Sequence, residues 1–332
     1  MALDKKLKYF MQPCNSMGSQ NLIRSKKYAY IQALRPRQWT KNLVVFAAPL
    51  FAFNINFSSF LGSLLAFILF CATSSSFYLL NDIVDVKSDR QHPVKCKRPI
   101  AAGLVSIPIA LGMSIVLLLS SIIIAWLQTP ALGATIIAYA ILQVAYNIRL
   151  KHTPIADIGA IAAGFVLRAY SGAAASNIVL SSWFVICTAM LALFLAIEKR
   201  KAELRLTHIK GNKPRTVLKR YSLPLLHRME NVVTTGCVVT YTLWSSGPVV
   251  NGASTSWMLI TLPFVLYGIF RYQLLSDSQE IERRSKNSEE QGGSSERPEE
   301  ILLKDKPILI TVCSWVITCF VILYLKQQGL IV

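Results

Sequence analysis

Acidic side chains are scarce in this sequence. Seventeen Asp and Glu stand against 35 Lys and Arg, a formal net charge of +18, and charged residues of both signs make up only 16% of the 332 positions. Soluble domains carry about 25% charged residues, so an ordinary water-facing exterior is excluded. Nine of the 17 acids fall in one segment, 276–306, which leaves Asp4, Asp82, Asp85, Asp89, Asp157, Glu198, Glu203 and Glu230 for the rest. Histidine is also sparse, at four, and the seven cysteines form no CxxC pair. A zinc ribbon or disulfide framework is therefore not indicated; the cysteines lie mostly in apolar runs and suit small core positions. No apolar run precedes residue 42, so a cleavable signal peptide is not expected.

What fills the chain instead is apolar sequence, 53% hydrophobic with a mean hydropathy of +0.44. It comes in blocks long enough to cross a bilayer, for which a helix needs about 20 residues. The expected fold class is an all-α polytopic membrane protein. Nine spans are expected, near 42–60, 62–81, 106–126, 131–148, 154–174, 180–198, 229–247, 255–272 and 307–325. The first is interrupted by Pro49 and Asn54. Lys and Arg fall in alternate loops: nine in 1–41, five in 82–105, two in 149–153, ten in 199–228 and seven in 271–306, with none in the loops between. The positive-inside rule assigns those loops, and the N-terminus, to the cytoplasm. The same rule accounts for the basic charge, and with no nucleic-acid motif in the chain a nucleic-acid partner is not expected. Small helix residues such as Gly164 and Gly172 are compatible with a homo-oligomer without requiring one.

Almost all the informative polar sequence lies on the cytoplasmic side. Residues 1–33 read as an extension, surface-lying or mobile over 1–30, and 34–332 as a single transmembrane domain. Trp39, in the basic "LRPRQWTKN", suits an interfacial position. The Ser-, Glu- and Gly-rich loop 276–306 reads as partly flexible.

The segment "YLLNDIVDVKSDRQHP" (78–93) closes an apolar run with Asn81, Asp82, Asp85 and Asp89. If the helix continues through it, the three carboxylates sit at i, i+3 and i+7, within about 60° of one face. Facing lipid would be costly, so a polar cavity is their natural destination. Carboxylates in close array repel unless a cation sits among them, and hard cations such as Mg²⁺ take oxygen ligands shared with substrate phosphates. Lys87, Arg90, Lys95, Lys97 and Arg98 follow at once and could meet phosphate oxygens. The competing reading is a solvated loop whose acids pair with its own basic residues.

These residues resemble the UbiA superfamily of intramembrane prenyltransferases. "NDIVDVKSD" (81–89) matches its NDxxDxxxD motif, and "RPIAAG" (98–103) follows as it commonly does there. The resemblance implies helices around a central cavity open to the cytoplasmic side, with Mg²⁺ and a diphosphate held by Asp82, Asp85 and Asp89. A narrower likeness is to the decaprenyl-phosphate phosphoribosyltransferase branch. It rests on "LRPRQWTKNLVVFAAPL" (34–50), the 81–103 stretch, "YNIRLKHTPIADIGAIAAGFVLRAYSGAAA" (146–175), "EKRKAELR" (198–205) and "PEEILLKDKPIL" (298–309). That branch implies transfer of a phosphoribosyl group from phosphoribosyl pyrophosphate (PRPP) to a polyprenyl phosphate. Prenyl-donor members usually carry a second DxxxD motif where this chain has "EKRKAELR". More substrate phosphate calls for more cation, although a basic loop is also what topology alone would give.

From these motifs Asp82, Asp85 and Asp89 are the expected metal ligands, with Asn81 orienting the diphosphate. Lys41 and Arg35 are expected to contact phosphate, and Arg37 either phosphate or lipid headgroups. Tyr146, Lys151 and Asp157 bracket the turn between the fourth and fifth spans: Lys151 for a phosphate, Asp157 for a ribose hydroxyl, a metal or simple helix-start pairing. Arg168, ionised within a span, is a functional candidate by default unless it pairs inside the bundle. Lys199, Arg200 and Glu203 are assigned to the lipid phosphate or the ribose 5-phosphate. His152 has no expected role. Two other activities compete: a prenyltransferase acting on an aromatic or isoprenoid acceptor, and a cation transporter. Against the transporter, the acids lie at one membrane face and no paired broken helices mark an inverted repeat.

Overall fold

The computed structural model describes residues 28–52, 57–92, 94–210, 216–277 and 305–331. All regular structure in them is helical. Most of the proposed extension and residues 278–304 of the expected flexible loop lie outside the described residues. The α-helices are α1 (Ala47–Phe51), α2 (Phe57–Val84), α3 (Val86–Gln91), α4 (Ile107–Gln128) and α5 (Pro130–Ile148). They continue with α6 (Ala156–Ser176), α7 (Ser182–Lys210), α8 (Leu223–Ser245), α9 (Leu262–Leu275) and α10 (Lys306–Gln327).

Among the described residues seven stretches are long and apolar enough to cross a membrane: α2, α4, α5, α6, α7 through Arg205, Ser256–Leu275 and α10. The expected count of nine is therefore not reproduced. The first expected span is not one helix: Pro36–Phe46 is a 3₁₀ turn series, α1 follows, and residue 57 already belongs to α2. Pro49, which lacks an amide hydrogen, sits where that span needed continuous hydrogen bonding. The seventh, α8, has the length but carries His227, Arg228, Glu230 and Asn231 in its second and third turns and several threonines beyond, so its hydropathy falls short. The sixth ends at 198 by hydropathy, yet α7 runs on to Lys210. Its charged residues continue the helix because they are paired internally, as described below.

The chain divides into two compact units. The first comprises residues up to Leu43 together with Ala66–Ala140. Residues 28–33 are helical, and Ala29 and Ala33 are buried with Leu79, Ile100, Val105 and Ala110. The end of the extension is thus packed structure. Ser76 and Ser114 hydroxyls lie 3.2 Å apart between α2 and α4, and Trp39 donates to Ser75 at 3.0 Å, giving its indole a protein partner. Along α4, Ile109, Val116, Ile123 and Leu127 are exposed, as expected of a helix facing lipid acyl chains.

The second unit comprises Val44–Leu65 and the chain from Ile141 onward. Its core gathers Phe194, Ile197, Leu226, Ile269 and Tyr272, while a second cluster packs Phe51, Phe184, Tyr241, Trp244 and Trp315. Gly172 of α6 lies against the Val45 carbonyl; a Cβ at this position would come within 1.9 Å of that oxygen. Arg271 of α9 pairs with Asp305 at 3.0 Å, and Asp305 also accepts from the Ile308 amide at 3.0 Å, capping α10.

Candidate active site

The acidic motif lies in the first unit. The α-helix stops at Val84, Asp85 takes a turn conformation (φ −86°, ψ 2°), and α3 begins at Val86. Asp85 is thereby set apart, while Asp82 and Asp89 stay together. Asp82 and Asp89 are buried, whereas Asp85 is exposed with Lys87 and Arg90. Arg98 Nη1 donates to Asp82 Oδ1 at 3.1 Å and to Asp89 Oδ2 at 2.6 Å. Arg35 Nη2 donates to the same Asp82 Oδ1, and the guanidinium carbon stands 4.9 Å from the Tyr78 ring centroid. Two buried carboxylates therefore face two arginines; a third buried acid would lack a partner and carry a large desolvation cost.

Arg35 reaches Asp82 from a backbone at φ +56°, a region few non-glycine residues enter. Such conformations persist where surroundings hold them; here the ion pair and the aromatic face do so. Arg90 Nε donates to the Ala101 carbonyl at 3.2 Å, which ties α3 to the "RPIAAG" turn. Lys41 is half-buried and Arg37 exposed.

The remaining candidates lie in the second unit, where the structure changes their reading. Arg200 is fully buried: Nε donates to Asp157 Oδ2 at 2.7 Å and Nη1 to Glu203 Oε2 at 2.6 Å. Asp157 is fully buried as well, and its Oδ1 accepts from the Tyr221 hydroxyl at 2.6 Å. Both Asp157 oxygens are thus engaged, which fits the helix-start pairing reading better than contact with ribose. Tyr146, near the end of α5, is half-buried. Lys201, one residue beyond Arg200, faces another way: it donates to Glu198 at 2.6 Å and also to Glu230 of α8, which accepts from Gln273 of α9 at 2.8 Å. The basic segment of α7 is in large part an internal clamp on α6, α8 and α9. Arg168 is buried, donates to the Gly164 carbonyl one turn earlier at 2.8 Å and lies 5.4 Å from the Phe165 ring. Lys151 and Lys199 are half-buried and His152 is exposed.

Comparison with known proteins gives these clusters a context. The UbiA prenyltransferase family matches residues 43–288. The chain belongs to that family. Among its relatives is a decaprenyl-phosphate phosphoribosyltransferase from Mycolicibacterium smegmatis, 36% identical over 307 residues, covering 89% of this chain and 92% of the relative. Proteins of the same name from Corynebacterium glutamicum and Mycobacterium tuberculosis are 35% and 34% identical, covering 90% and 87% of this chain and 87% and 92% of those relatives. In fold, this UbiA-family chain is similar to a UbiA homolog from Archaeoglobus fulgidus bound to DMAPP and Mg²⁺. The TM-score is 0.61 at 19% identity, over 89% of this chain and 99% of the other. Digeranylgeranylglyceryl phosphate synthase gives a TM-score of 0.63 at 16% identity, over the same shares. The protein is an integral membrane transferase of the UbiA fold.

Among the described residues no three Asp, Glu, His or Cys side chains converge as a ready metal cluster. The residues around Asp82 nonetheless fit a magnesium ion. Asp89 Oδ1 is buried without a hydrogen-bond partner, and Lys95 Nζ stands 4.0 Å from it. All the donors are oxygens, and Mg²⁺ is usually held by one or two carboxylates with water and substrate phosphates supplying the rest.

Three participants were missed by sequence reasoning. Tyr221 follows a basic run and belongs to no motif. Tyr78 shows only as an aromatic inside an apolar helix. Gln273 is a lone amide in α9. The acid Glu230, near the start of an apolar block, was the one usable signal, since such an acid needs a cation.

Proposed function

We propose that this UbiA-family protein transfers the 5-phosphoribosyl group of PRPP to a polyprenyl phosphate of decaprenyl type, releasing pyrophosphate, in a Mg²⁺-dependent reaction at the cytoplasmic face of the membrane. The carrying observation is the likeness to decaprenyl-phosphate phosphoribosyltransferases across about nine-tenths of both chains. The solved UbiA neighbours bound to prenyl diphosphates support the diphosphate part of the reading only.

In this reading Asp82 and Asp89, joined by Asp85 from the turn between them, would hold the metal, and Asn81 would orient the diphosphate. Bound there, Mg²⁺ supplies positive charge to the oxygens of the departing pyrophosphate. Arg35 and Arg98 neutralise the carboxylates, and with Lys41, Lys87 and Arg90 they provide guanidinium and ammonium donors for phosphate oxygens. The anomeric carbon gains oxocarbenium character as the C1–O bond breaks. An oxygen of the lipid phosphate attacks from the opposite face, forming the new C1–O bond with inversion. That oxygen is already anionic near pH 7, so no side chain has to remove a proton. Lys151 is the cation assigned to a substrate phosphate. Arg200, Glu203 and Asp157 support the fold around it instead of contacting substrate.

The test is incubation of the purified protein with labelled PRPP and polyprenyl phosphate, with Mg²⁺ or with chelator. Label entering the lipid only with Mg²⁺ is the expected result. Consumption of a prenyl diphosphate with an aromatic or isoprenoid acceptor, and no labelled lipid, would replace this reading by prenyl transfer.

A further inference from the structure

Tyr221 stands at the centre of the buried cluster in the second unit. Its hydroxyl accepts from the Ile155 amide at 2.6 Å and donates to Asp157 Oδ1 at 2.6 Å. Asp157 is held in turn by Arg200, and Arg200 by Glu203. Four side chains, from α6, α7 and the segment before α8, thus form one series of hydrogen bonds that ends on a backbone amide.

That amide belongs to a strained residue. Ile155 has φ +68°, a conformation that is an outlier for a β-branched side chain. Its own side chain is exposed, and α6 has no side-chain hydrogen bond at its N-cap. Its carbonyl accepts from the Gly159 amide at 2.9 Å as α6 begins, and its amide is held by the hydroxyl of Tyr221. The turn so held begins at Arg149 and contains the 3₁₀ segment Leu150–His152. It therefore carries Arg149, Lys151 and His152, with Arg149 and His152 exposed and Lys151 half-buried. Arg200 and Lys201, by contrast, are engaged in internal pairs. In this unit the turn, more than the basic run of α7, offers cations to a ligand.

We propose that Tyr221 is a positioning residue. By fixing Ile155 it sets the shape of the 149–155 turn, so that Lys151 meets a phosphate monoester, either the 5-phosphate of the donor or the phosphate of the lipid. The inference rests on the proposed phosphoribosyl transfer for its substrate and on the hydrogen bonds for its geometry.

Tyr221→Phe keeps the ring and removes both hydrogen bonds. Two measurements on the full-length protein in detergent test it. In hydrogen exchange, the peptide over 149–156 should exchange faster while the middle of α8 keeps its protection. In steady-state kinetics with PRPP and polyprenyl phosphate varied separately, KM for one of them should rise about tenfold, the scale of one lost buried hydrogen bond. Turnover, kcat, should stay within about twofold. Lys151→Ala should raise the same KM, and the double variant should add little to the larger single effect, because both act on one contact. The substrate whose KM moves identifies the source of the phosphate. Unchanged exchange at 149–156, a fall in kcat with both KM values steady, or full additivity with Lys151→Ala would each overturn the proposal. Should the wild type transfer nothing from PRPP, phosphoribosyl transfer fails, and the exchange result alone then upholds or rejects the Tyr221 clamp.

Discussion

Arg98 holds Asp82 and Asp89 together through a single nitrogen, Nη1, 3.1 Å from one carboxylate oxygen and 2.6 Å from the other. A guanidinium thus occupies the charge-neutralising position that a metal ion would share with substrate. Removing one partner of a fully buried pair costs about 3–5 kcal/mol. Arg35 stays on Asp82 and Arg98 is 28% exposed, so Arg98→Ala should cost about 2–3 kcal/mol. Thermal unfolding in detergent measures this. Addition of Mg²⁺ should raise the unfolding temperature more in the variant than in the wild type, because binding to the folded state stabilises it and no guanidinium competes. Equal rises in both proteins would show that Arg98 does not compete with an ion for these carboxylates.

Asp85 is separated from its neighbours by the break in the helix, and its exposure makes it a clean probe of function. Surface substitutions away from special features usually change stability by about 0.5 kcal/mol or less, so Asp85→Asn should fold like the wild type. Transfer activity should fall by about tenfold to a hundredfold, the scale at which disturbed metal-site partners act. Normal turnover in this variant would remove Asp85 from the metal site.

The sequence made the helical membrane architecture legible because long apolar runs have few alternatives in lipid. It also located the acid cluster, since carboxylates at the end of such a run need a partner. What it did not reveal were the pairings. The spacing of Asp82, Asp85 and Asp89 fits a continuous helix, but Asp82 and Asp89 are the buried acids, held by Arg35 and Arg98, and those arginines lie 47 and 16 positions from Asp82. Arg200 looked like a phosphate ligand, and Lys201 stood beside it in a basic run, because their charge was visible and their partners were not. Asp157 and Glu230 are 43 and 29 residues away from them. Tyr221 gave no signal at all: a tyrosine that bridges an amide and a carboxylate is indistinguishable in sequence from one that packs in a core.

Lys201 offers a test of the internal clamp. It bonds to Glu198 and Glu230, and Glu198 Oε2 is buried with no hydrogen-bond partner. Lys201→Met leaves two buried carboxylates without their cation, which should cost about 3–5 kcal/mol. Adding Glu230→Gln to that variant should recover part of the loss, because one uncompensated charge is removed. Thermal unfolding of the two proteins in the same detergent decides it. Wild-type stability in Lys201→Met would mean that the lysine is not the cation of this cluster.

Gly172 separates packing from helix propensity. A Cβ there would fall 1.9 Å from the Val45 carbonyl oxygen, whereas nothing lies within 4 Å of one at Gly112 in α4. Forcing atoms into a filled contact costs about 1–3 kcal/mol, so Gly172→Ala should lower stability by that amount. Gly112→Ala should be neutral or stabilising by up to about 1 kcal/mol, since alanine is the better helix former. If both substitutions behaved alike, the close approach of α6 to the Val45 backbone would not hold the second unit together.

Tyr221 gives the pH dependence. Burial raises its hydroxyl above the usual tyrosine range, and the hydrogen bond to Asp157 adds to the shift. The folded state therefore binds this proton more tightly than the unfolded chain does. The corresponding stability is fully present below the unfolded value of about 10 and is lost as pH rises through the higher folded value. Unfolding temperature should fall more steeply with pH above about 10 in the wild type than in Tyr221→Phe, whose ring has no proton to lose. Parallel curves from pH 9 to 11.5 would mean that the hydroxyl ionises as freely in the folded protein as in the unfolded chain, and that its bond to Asp157 does not form.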